Sequence, residues 1–421
     1  MIIAKIAIRN IFRHKTRSLI TLSTICFGGM ALIFAGGFFE DIFYKMRESY
    51  IQAHTGHIQI VKKGYFEKGA VEPYSFMIDN ADKVAAIVKK VPGVKFVTAR
   101  LQFSGLMSRG DSTISFVGMG VDPRYESTSR ASSSDLRKAT ERLTLGGVIV
   151  TDGAPLTGKD TYSIMLGKGL AANIGAKPND GVVLLTNTVN GSVNALDVTV
   201  KGMFYTSSKA YDDNVLRIPL ATAQKLLATN SVQSLVVMLS RTEDTAVVKN
   251  ELARIFRDRQ FDLELKSWDQ ISDFYANTVK LFNRLFLIMK IVIIIVVILS
   301  IFNTMNMAVL ERVSEIGTIM ALGTKRAGVM ELFMFEGLGL GVIGGALGIV
   351  FGVLATQFIS QIGIPMPPPP GATMNWLSEP KIVPGMLKFS FTLSIITALI
   401  SSWYPAHKAS RLEIAEALRH K

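Results

Sequence analysis

Leu285-Phe-Leu-Ile-Met-Lys290-Ile-Val-Ile-Ile-Ile-Val-Val-Ile-Leu299-Ser-Ile-Phe-Asn303-Thr-Met-Asn306-Met-Ala-Val309 is the stretch on which the fold turns. It is long enough to cross the ~30 Å hydrocarbon core of a bilayer as a helix and carries a single charge. Its centre, Ile291 to Leu299, is almost wholly β-branched, which suits lipid. Lys290 lies towards the outer third, from where its amine can snorkel to the interface. The helical period starts earlier, near Phe274. At about 1.5 Å per residue, Phe274 to Leu310 exceeds the hydrocarbon core, which predicts a stalk protruding into water.

Three further runs have the same character. Leu19–Phe39 follows Lys5, Arg9, Arg13, Lys15 and Arg17. It is longer than the apolar core of a signal peptide and is read as a retained span. Leu332–Ile359 carries Gly337, Gly341 and Gly345 at a spacing of four, with a second row at Gly344, Gly348 and Gly352. Small residues so spaced let helix backbones approach closely in lipid, without saying which helix is the neighbour. Met386–Tyr404 ends in Trp403 and Tyr404, as interfacial aromatics do. The expected fold class is therefore membrane α+β: four transmembrane helices, with a large mixed α/β domain inserted between the first two.

Composition agrees. The chain of 421 residues is 49% hydrophobic, with a mean hydropathy of +0.33. Its net charge of +13 clusters beside the apolar runs, where basic residues meet anionic headgroups, so no nucleic-acid partner is read from it. The one cysteine, Cys26, lies inside the first run. It permits no intramolecular disulfide, and Ile25 stands where a lipidation site needs a small residue.

Lys and Arg near span ends set orientation. The N-terminal segment is basic, the link between spans two and three holds Arg312, Lys325 and Arg326, and the tail holds Lys408, Arg411, Arg419 and Lys421. Gln361–Gly385 holds only Lys381. Both termini and the central link are expected in the cytoplasm, and residues 40–280 outside it. The division expected is 1–39, basic N-terminus and first helix; 40–280, extracytoplasmic domain; 281–421, the remaining helices and tail.

Residues 40–280 alternate between strand and helix patterns. Strands are expected at Gly56–Val61, Val94–Phe103, Thr113–Val121, Val182–Thr186, Asp197–Phe204, Val215–Ile218 and Ser234–Leu239. Helices are expected after Asn80, which can cap one, and at Leu220–Thr229, Thr245–Arg259 and Ser267–Asn283. Ser127–Asp135 reads as an exposed loop or subdomain junction. Pro365–Pro370, five prolines in six residues, predicts a stiff polyproline II segment that serves as a spacer or a docking site.

No catalytic or metal-binding constellation emerges. Gly153-Ala-Pro-Leu-Thr-Gly158-Lys159-Asp160 imitates a phosphate-binding loop. It ends in a carboxylate where a hydroxyl should ligate Mg²⁺, and Pro155 removes an N–H from the cradle, so a surface turn is expected. His54 and His57 lack a further ligand nearby and read as two surface histidines.

The informative link is Glu311-Arg-Val-Ser-Glu315-Ile-Gly-Thr-Ile-Met-Ala-Leu-Gly323-Thr-Lys-Arg-Ala-Gly328. It is short and amphipathic. Glu311 and Glu315 share a helical face with Arg312 beside them. Ile316, Ile319, Met320 and Leu322 suit either a groove on a partner or the membrane surface.

This link resembles the signature of the FtsX/MacB/LolC-LolE superfamily of ABC transporter permeases. The residues that match are Asn303 or Asn306, then Glu311, Arg312, Glu315, Ile316, Gly317, Ala321, Leu322 and Gly323. The closing stretch Pro405-Ala406 to Arg411-Leu412, with Glu416 and Leu418, and the opening Ala7-Ile-Arg-Asn10-Ile-Phe-Arg13 with Lys15-Thr-Arg17 resemble the family's other motifs. Leu166–Ala171, Ile174-Gly175, Asp180, Ile218-Pro-Leu220 with Gln224, and Lys266-Ser-Trp268 look closest to the lipoprotein-releasing members. The resemblance implies a MacB-like periplasmic core on an FtsX-like permease in a bacterial inner membrane. It implies a second permease, identical or paralogous, and a cytoplasmic ABC ATPase dimer. ATP and Mg²⁺ would sit on that ATPase, with no cofactor on this chain and no enzyme activity of its own. The link would be the coupling helix, and the cargo a lipoprotein or another hydrophobic molecule from the membrane or periplasm. A signalling subunit that controls a periplasmic enzyme and an efflux permease are the alternatives within the superfamily.

Overall fold

The computed structural model describes residues 2–13, 15–69, 71–125, 128–130, 148–206, 208–367 and 375–413. Two compact units emerge. The helical unit comprises residues 1–43, 278–364 and 378–421, and the α/β unit residues 44–277 and 365–377.

The helical unit is built on α1 (Ile2–Arg13), α2 (Lys15–Tyr50), α3 (Asp273–Glu311), α4 (Val313–Ala321), α5 (Arg326–Ile362) and α6 (Pro384–Ser410), of which α2 and α3 run on into the α/β unit. Four helices are long and apolar enough to cross a membrane: those starting at Lys15, Tyr275, Arg326 and Pro384. Each outruns its apolar run in sequence, because polar end residues still complete the backbone hydrogen-bond ladder. At 1.5 Å per residue the 39 residues of α3 make about 58 Å, well beyond a hydrocarbon core.

The two glycine rows of α5 face different neighbours. A Cβ on Gly337 would lie 1.9 Å from Ser402 Oγ, and one on Gly341 2.6 Å from Ala398 Cβ; on Gly345 it would meet Ser394 Cβ at 3.1 Å, all on α6. A Cβ on Gly344 would lie 2.8 Å from Ile25 Cβ, and one on Gly348 3.3 Å from the Cys26 carbonyl, both on α2. One helix thus packs two others closely because it lacks side chains along two stripes. α2 also meets α3 through Phe39, whose ring centroid lies 5.2 Å from that of Phe286, and through a Thr21–Thr304 hydroxyl pair at 2.6 Å. Lys290 does not simply reach outward. Its ammonium lies over the rings of Phe286, at 4.2 Å, and Phe389, at 5.0 Å.

The α/β unit holds β1 (Ile58–Lys62), β2 (Val94–Arg109), β3 (Ser112–Val121), β4 (Thr128–Arg130), β5 (Val148–Gly153), β6 (Ser163–Gly167), β7 (Gly181–Asn187), β8 (Val193–Tyr205), β9 (Val215–Pro219), β10 (Ser234–Leu239) and β11 (Leu263–Ser267). β1 lies antiparallel between β11 and β10, and β10 pairs β2. Helices Ala81–Val88 and Thr245–Asp258 supply Val84, Val88, Leu252 and Phe256 to the core over this half. In the other half the ladders close on themselves: β2 pairs β3, β3 pairs β9, β9 pairs β6, β6 pairs β8, β8 pairs β7 and β7 returns to β2. Ring closure leaves these six strands no open edge among themselves. Leu101, Phe103, Phe116, Leu166, Leu184, Val200 and Ile218 share the core of this half, with Leu170 and Leu226 from helices Lys168–Ile174 and Leu220–Leu227.

Several sequence expectations change. The helix expected over Ser267–Asn283 is two: Ser267 ends β11 and forms a capping box for Trp268–Ile271. Ser272 leaves helical geometry (φ −96°, ψ 79°) before α3 begins. The sheet edge at β1 recruits Lys266 and Ser267, which a local helical period cannot anticipate. Asn80 stands at the helix start but its side chain makes no capping bond. Pro365 and Met366 lie in a short strand, Ile364–Met366, paired with Trp376–Ser378, rather than in polyproline II; residues 368–370 lie outside the described residues. Most of Ser127–Asp135 also lies outside them, 128–130 forming β4.

Candidate functional site: the coupling link and its charge network

Arg312 is the single residue between α3 and α4. It breaks from helical geometry (φ −118°, ψ 19°), and its side chain turns inward, with the residue only 6% exposed. One guanidinium nitrogen lies 3.2 Å from Glu336 Oε2 on α5, and Nε lies 3.1 Å from Glu315 Oε2 on α4. Arg17 of α2 reaches Glu311 at 2.8 Å and Glu336 at 3.8 Å, and Arg13 of α1 reaches Glu315 at 3.2 Å. The result is an alternating chain, Arg13–Glu315–Arg312–Glu336–Arg17–Glu311, that ties four helices to the link. Burial pushes the Glu315 carboxyl up, but bonds from Arg312 and Arg13 outweigh it and hold the group below the usual carboxylate range.

The network changes the meaning of the residues singled out above. Glu311 and Glu315 face basic residues of the same chain. Ile316 and Met320 do not project into a partner groove. They are buried with Val329, Phe333, Ala406 and Ala409, and Gly317 is buried beside them. What stands free is the tip: Ala321 to Ala327 are exposed, Leu322 at 82%, and Gly323 turns the chain at φ +97°. Of the closing motif, Pro405 and Ala406 are buried in α6 and Arg411 is exposed at its C-terminus. Glu416 and Leu418 lie outside the described residues.

Glu336 was not among the candidates, and Arg17 was named only as part of the basic opening motif. Glu336 interrupts an apolar run, and a lone carboxylate there is the signal that finds it, because such a charge needs a partner.

In the α/β unit, a second polar cluster seats the far end of α2. A π-helical turn, Ile51–Thr55, follows the helix and ends at Gly56 (φ +65°), whose N–H returns to Ile51 O at 2.8 Å. Its last carbonyls have no helical partner and are met by arginines: Arg217 of β9 donates to Ala53 O at 3.1 Å, and Arg100 of β2 to His54 O. The cationic ends complement the negative end of the helix dipole. His57, expected at the surface, is 2% exposed. Its Nδ1 accepts from Leu239 N–H at 3.2 Å, so Nε2 carries the proton towards Thr242 Oγ1 at 3.1 Å. Thr242 in turn donates to Glu48 Oε1 at 2.9 Å. Burial, then Arg47, lowers the His57 pKa to about 4; burial, then Arg217 and Arg100, lowers that of His54 to about 3. Both rings are neutral at pH 7. Among the described residues no group of His, Cys, Asp and Glu is placed to hold a metal.

The phosphate-loop imitation is a turn closed by its own carboxylate. Asp160 accepts from the Thr157 N–H and hydroxyl, both at 2.6 Å, and pairs with Lys201. The acid that breaks the motif is the residue that builds the turn.

Known proteins match both units. The model of the MacB-like periplasmic core domain matches residues 18–255, and that of the FtsX-like permease C-terminal domain residues 287–414. An uncharacterized ABC transporter permease of Methanocaldococcus jannaschii is 24% identical over 98% of this chain and 96% of its own length. The lipoprotein-releasing system transmembrane protein LolC of Xylella fastidiosa is 25% identical over 62% of this chain and 65% of its own. The macrolide export ATP-binding/permease protein MacB of Syntrophobacter fumaroxidans is 25% identical over 65% of this chain and 38% of its own. The solved periplasmic region of MacB from Actinobacillus actinomycetemcomitans aligns with 54% of this chain and 96% of its own, at 15% identity and a TM-score of 0.37. With its four apolar helices and large extracytoplasmic α/β domain, the chain belongs to the FtsX/MacB/LolC superfamily of ABC transporter permeases.

Proposed function

We propose that this chain is the permease subunit of a mechanically coupled ABC exporter, working as a pair of permeases on a cytoplasmic ATPase dimer. The observation that carries this reading is the coupling link: an anchored helix, α4, that ends in an exposed tip with Leu322 at 82% exposure. A rigid mount with a bare apolar tip suits insertion into a groove of a motor subunit. The termini and the link face the cytoplasm, and ATP with Mg²⁺ is bound and hydrolysed by the partner. Movement of the link passes along α2 and α3, the two helices that continue into the α/β unit. The cargo is a lipoprotein or another hydrophobic molecule. A groove of about 620 Å³ between α2 and α3, lined by Leu19, Ile20, Phe27, Val292 and Val296, offers apolar surface for acyl chains or a second permease.

The test is co-purification from mild detergent with the ATPase, mass spectrometry of what travels with the pair, and ATP hydrolysis with and without this chain. Leu322→Asp should weaken ATPase binding at least about tenfold, the scale set by burying an unpaired charge in an apolar groove. Unaltered binding and hydrolysis would remove the link from the interface. Mass spectrometry of cargo separates lipoprotein release from small-molecule efflux.

A further inference from the structure

Within the six-charge network one member stands apart. Glu336 is 2% exposed, lies within the apolar run of α5 and, like the more exposed Glu315, is shared by two arginines from two other elements. Arg312 comes from the break between α3 and α4, and Arg17 from the start of α2. The outer pairs are different in kind: the side chains of Arg13 and Glu315 are 61% and 40% exposed, and such pairs are screened and contribute little. The inner group is walled by apolar surface. The Arg312 guanidinium lies 5.9 Å from the centroid of Phe333, itself fully buried. A carboxylate so enclosed is strongly unfavourable unless both oxygens are met, so its partners are held to one arrangement. No backbone hydrogen-bond ladder runs unbroken from α3 into α4, since Arg312 departs from helical geometry. The angle of the coupling helix is therefore left to side chains.

We propose that Glu336 is the positioning residue of the coupling link. By holding Arg312 and Arg17 together, it fixes how α4 sits on the end of α3 and fastens both to α2. A push on the Leu322 tip then moves α2, α3 and α5 as one body. Without Glu336, α4 swivels about Arg312 and the push is lost locally. The mechanical consequence rests on the reading of the link as an ATPase dock; the geometric part does not.

The experiment uses the full chain with Cys26→Ser in liposomes, diluted with unlabelled chain. Spin labels go at Leu322→Cys and Leu354→Cys, both exposed, and their separation is read by pulsed electron resonance. The parent should give one narrow distance peak. Glu336→Gln should split or broaden it, as should Arg312→Gln. Should Glu336→Gln fail to insert, Arg312→Lys keeps the charge but loses the forked geometry and should broaden the peak less. With the ATPase present, Glu336→Gln should leave its binding constant unchanged while stimulated turnover falls about tenfold, within the usual range of coupling between sites. A narrow peak in both Glu336→Gln and Arg312→Lys overturns the positioning role. Loss of ATPase binding in the parent overturns the docking reading and leaves the distance test standing.

Discussion

His57 shows what a single residue reveals once packed. An imidazole lowered to about 4 stays neutral in the folded protein, while the unfolded chain takes up a proton near 6.5. The unfolded state therefore binds more protons between about pH 6.5 and 4, and stability contributed by the neutral ring is present above 6.5 and lost as pH falls. His57 should cost about 2 kcal/mol between pH 7 and 5, at 1.36 kcal/mol per unit of displacement. Asp212 opposes this: burial pushes its carboxyl up to about 6, so over roughly pH 4–6 the folded state holds a proton that the unfolded chain has released. The test is therefore the difference between parent and His57→Gln. Denaturant unfolding of the full chain in detergent, followed by tryptophan fluorescence, should show a weaker pH dependence in the variant; identical slopes would mean that the ring titrates normally. At the same scale, Glu311→Lys with Glu315→Lys places lysines against Arg17 and Arg13. Stimulated ATPase activity should fall while membrane insertion persists, and an unchanged activity would show that the acidic pair has no part in coupling.

At the scale of elements, α5 decides the helical unit because it has two bare stripes. Gly341→Leu with Gly345→Leu should loosen α5 from α6 and leave α2 in place. Gly344→Leu with Gly348→Leu should do the reverse. Each overpacked site should cost about 1–3 kcal/mol, read as a lower unfolding temperature in detergent. Disulfide trapping across each helix pair assigns the damage: if both double variants disturb both pairs equally, the two faces do not act separately. The glycine spacing announced close packing, but the partners follow from tertiary geometry. Likewise the link was legible as amphipathic. That Ile316 and Met320 turn inward while Leu322 turns out depends on Phe333 of the next helix and on Ala406 and Ala409 of α6, which is distant in sequence.

For the whole molecule, sidedness is the property on which the functional reading depends. In a Cys26→Ser background, Leu322→Cys should react with an impermeant maleimide only from the cytoplasmic side. Val193→Cys, exposed in the α/β unit at 68%, should react only from the other side. Labelling of Leu322→Cys from the outer face would end the proposal of a cytoplasmic coupling link.

The sequence by itself determined that four helices cross a membrane, that a mixed α/β domain is inserted after the first, and that the family is that of the MacB- and FtsX-type permeases. These depend on hydropathy, period and short motifs, which are local and add along the chain. The tertiary structure alone decided that six strands close into a ring, that His57 is buried and His54 half-buried beside arginines, and that Glu336 binds Arg17 and Arg312. Ladder closure and buried charge pairing join residues far apart in sequence. Their energies depend on distance and dielectric in the folded state, and no local pattern encodes either quantity.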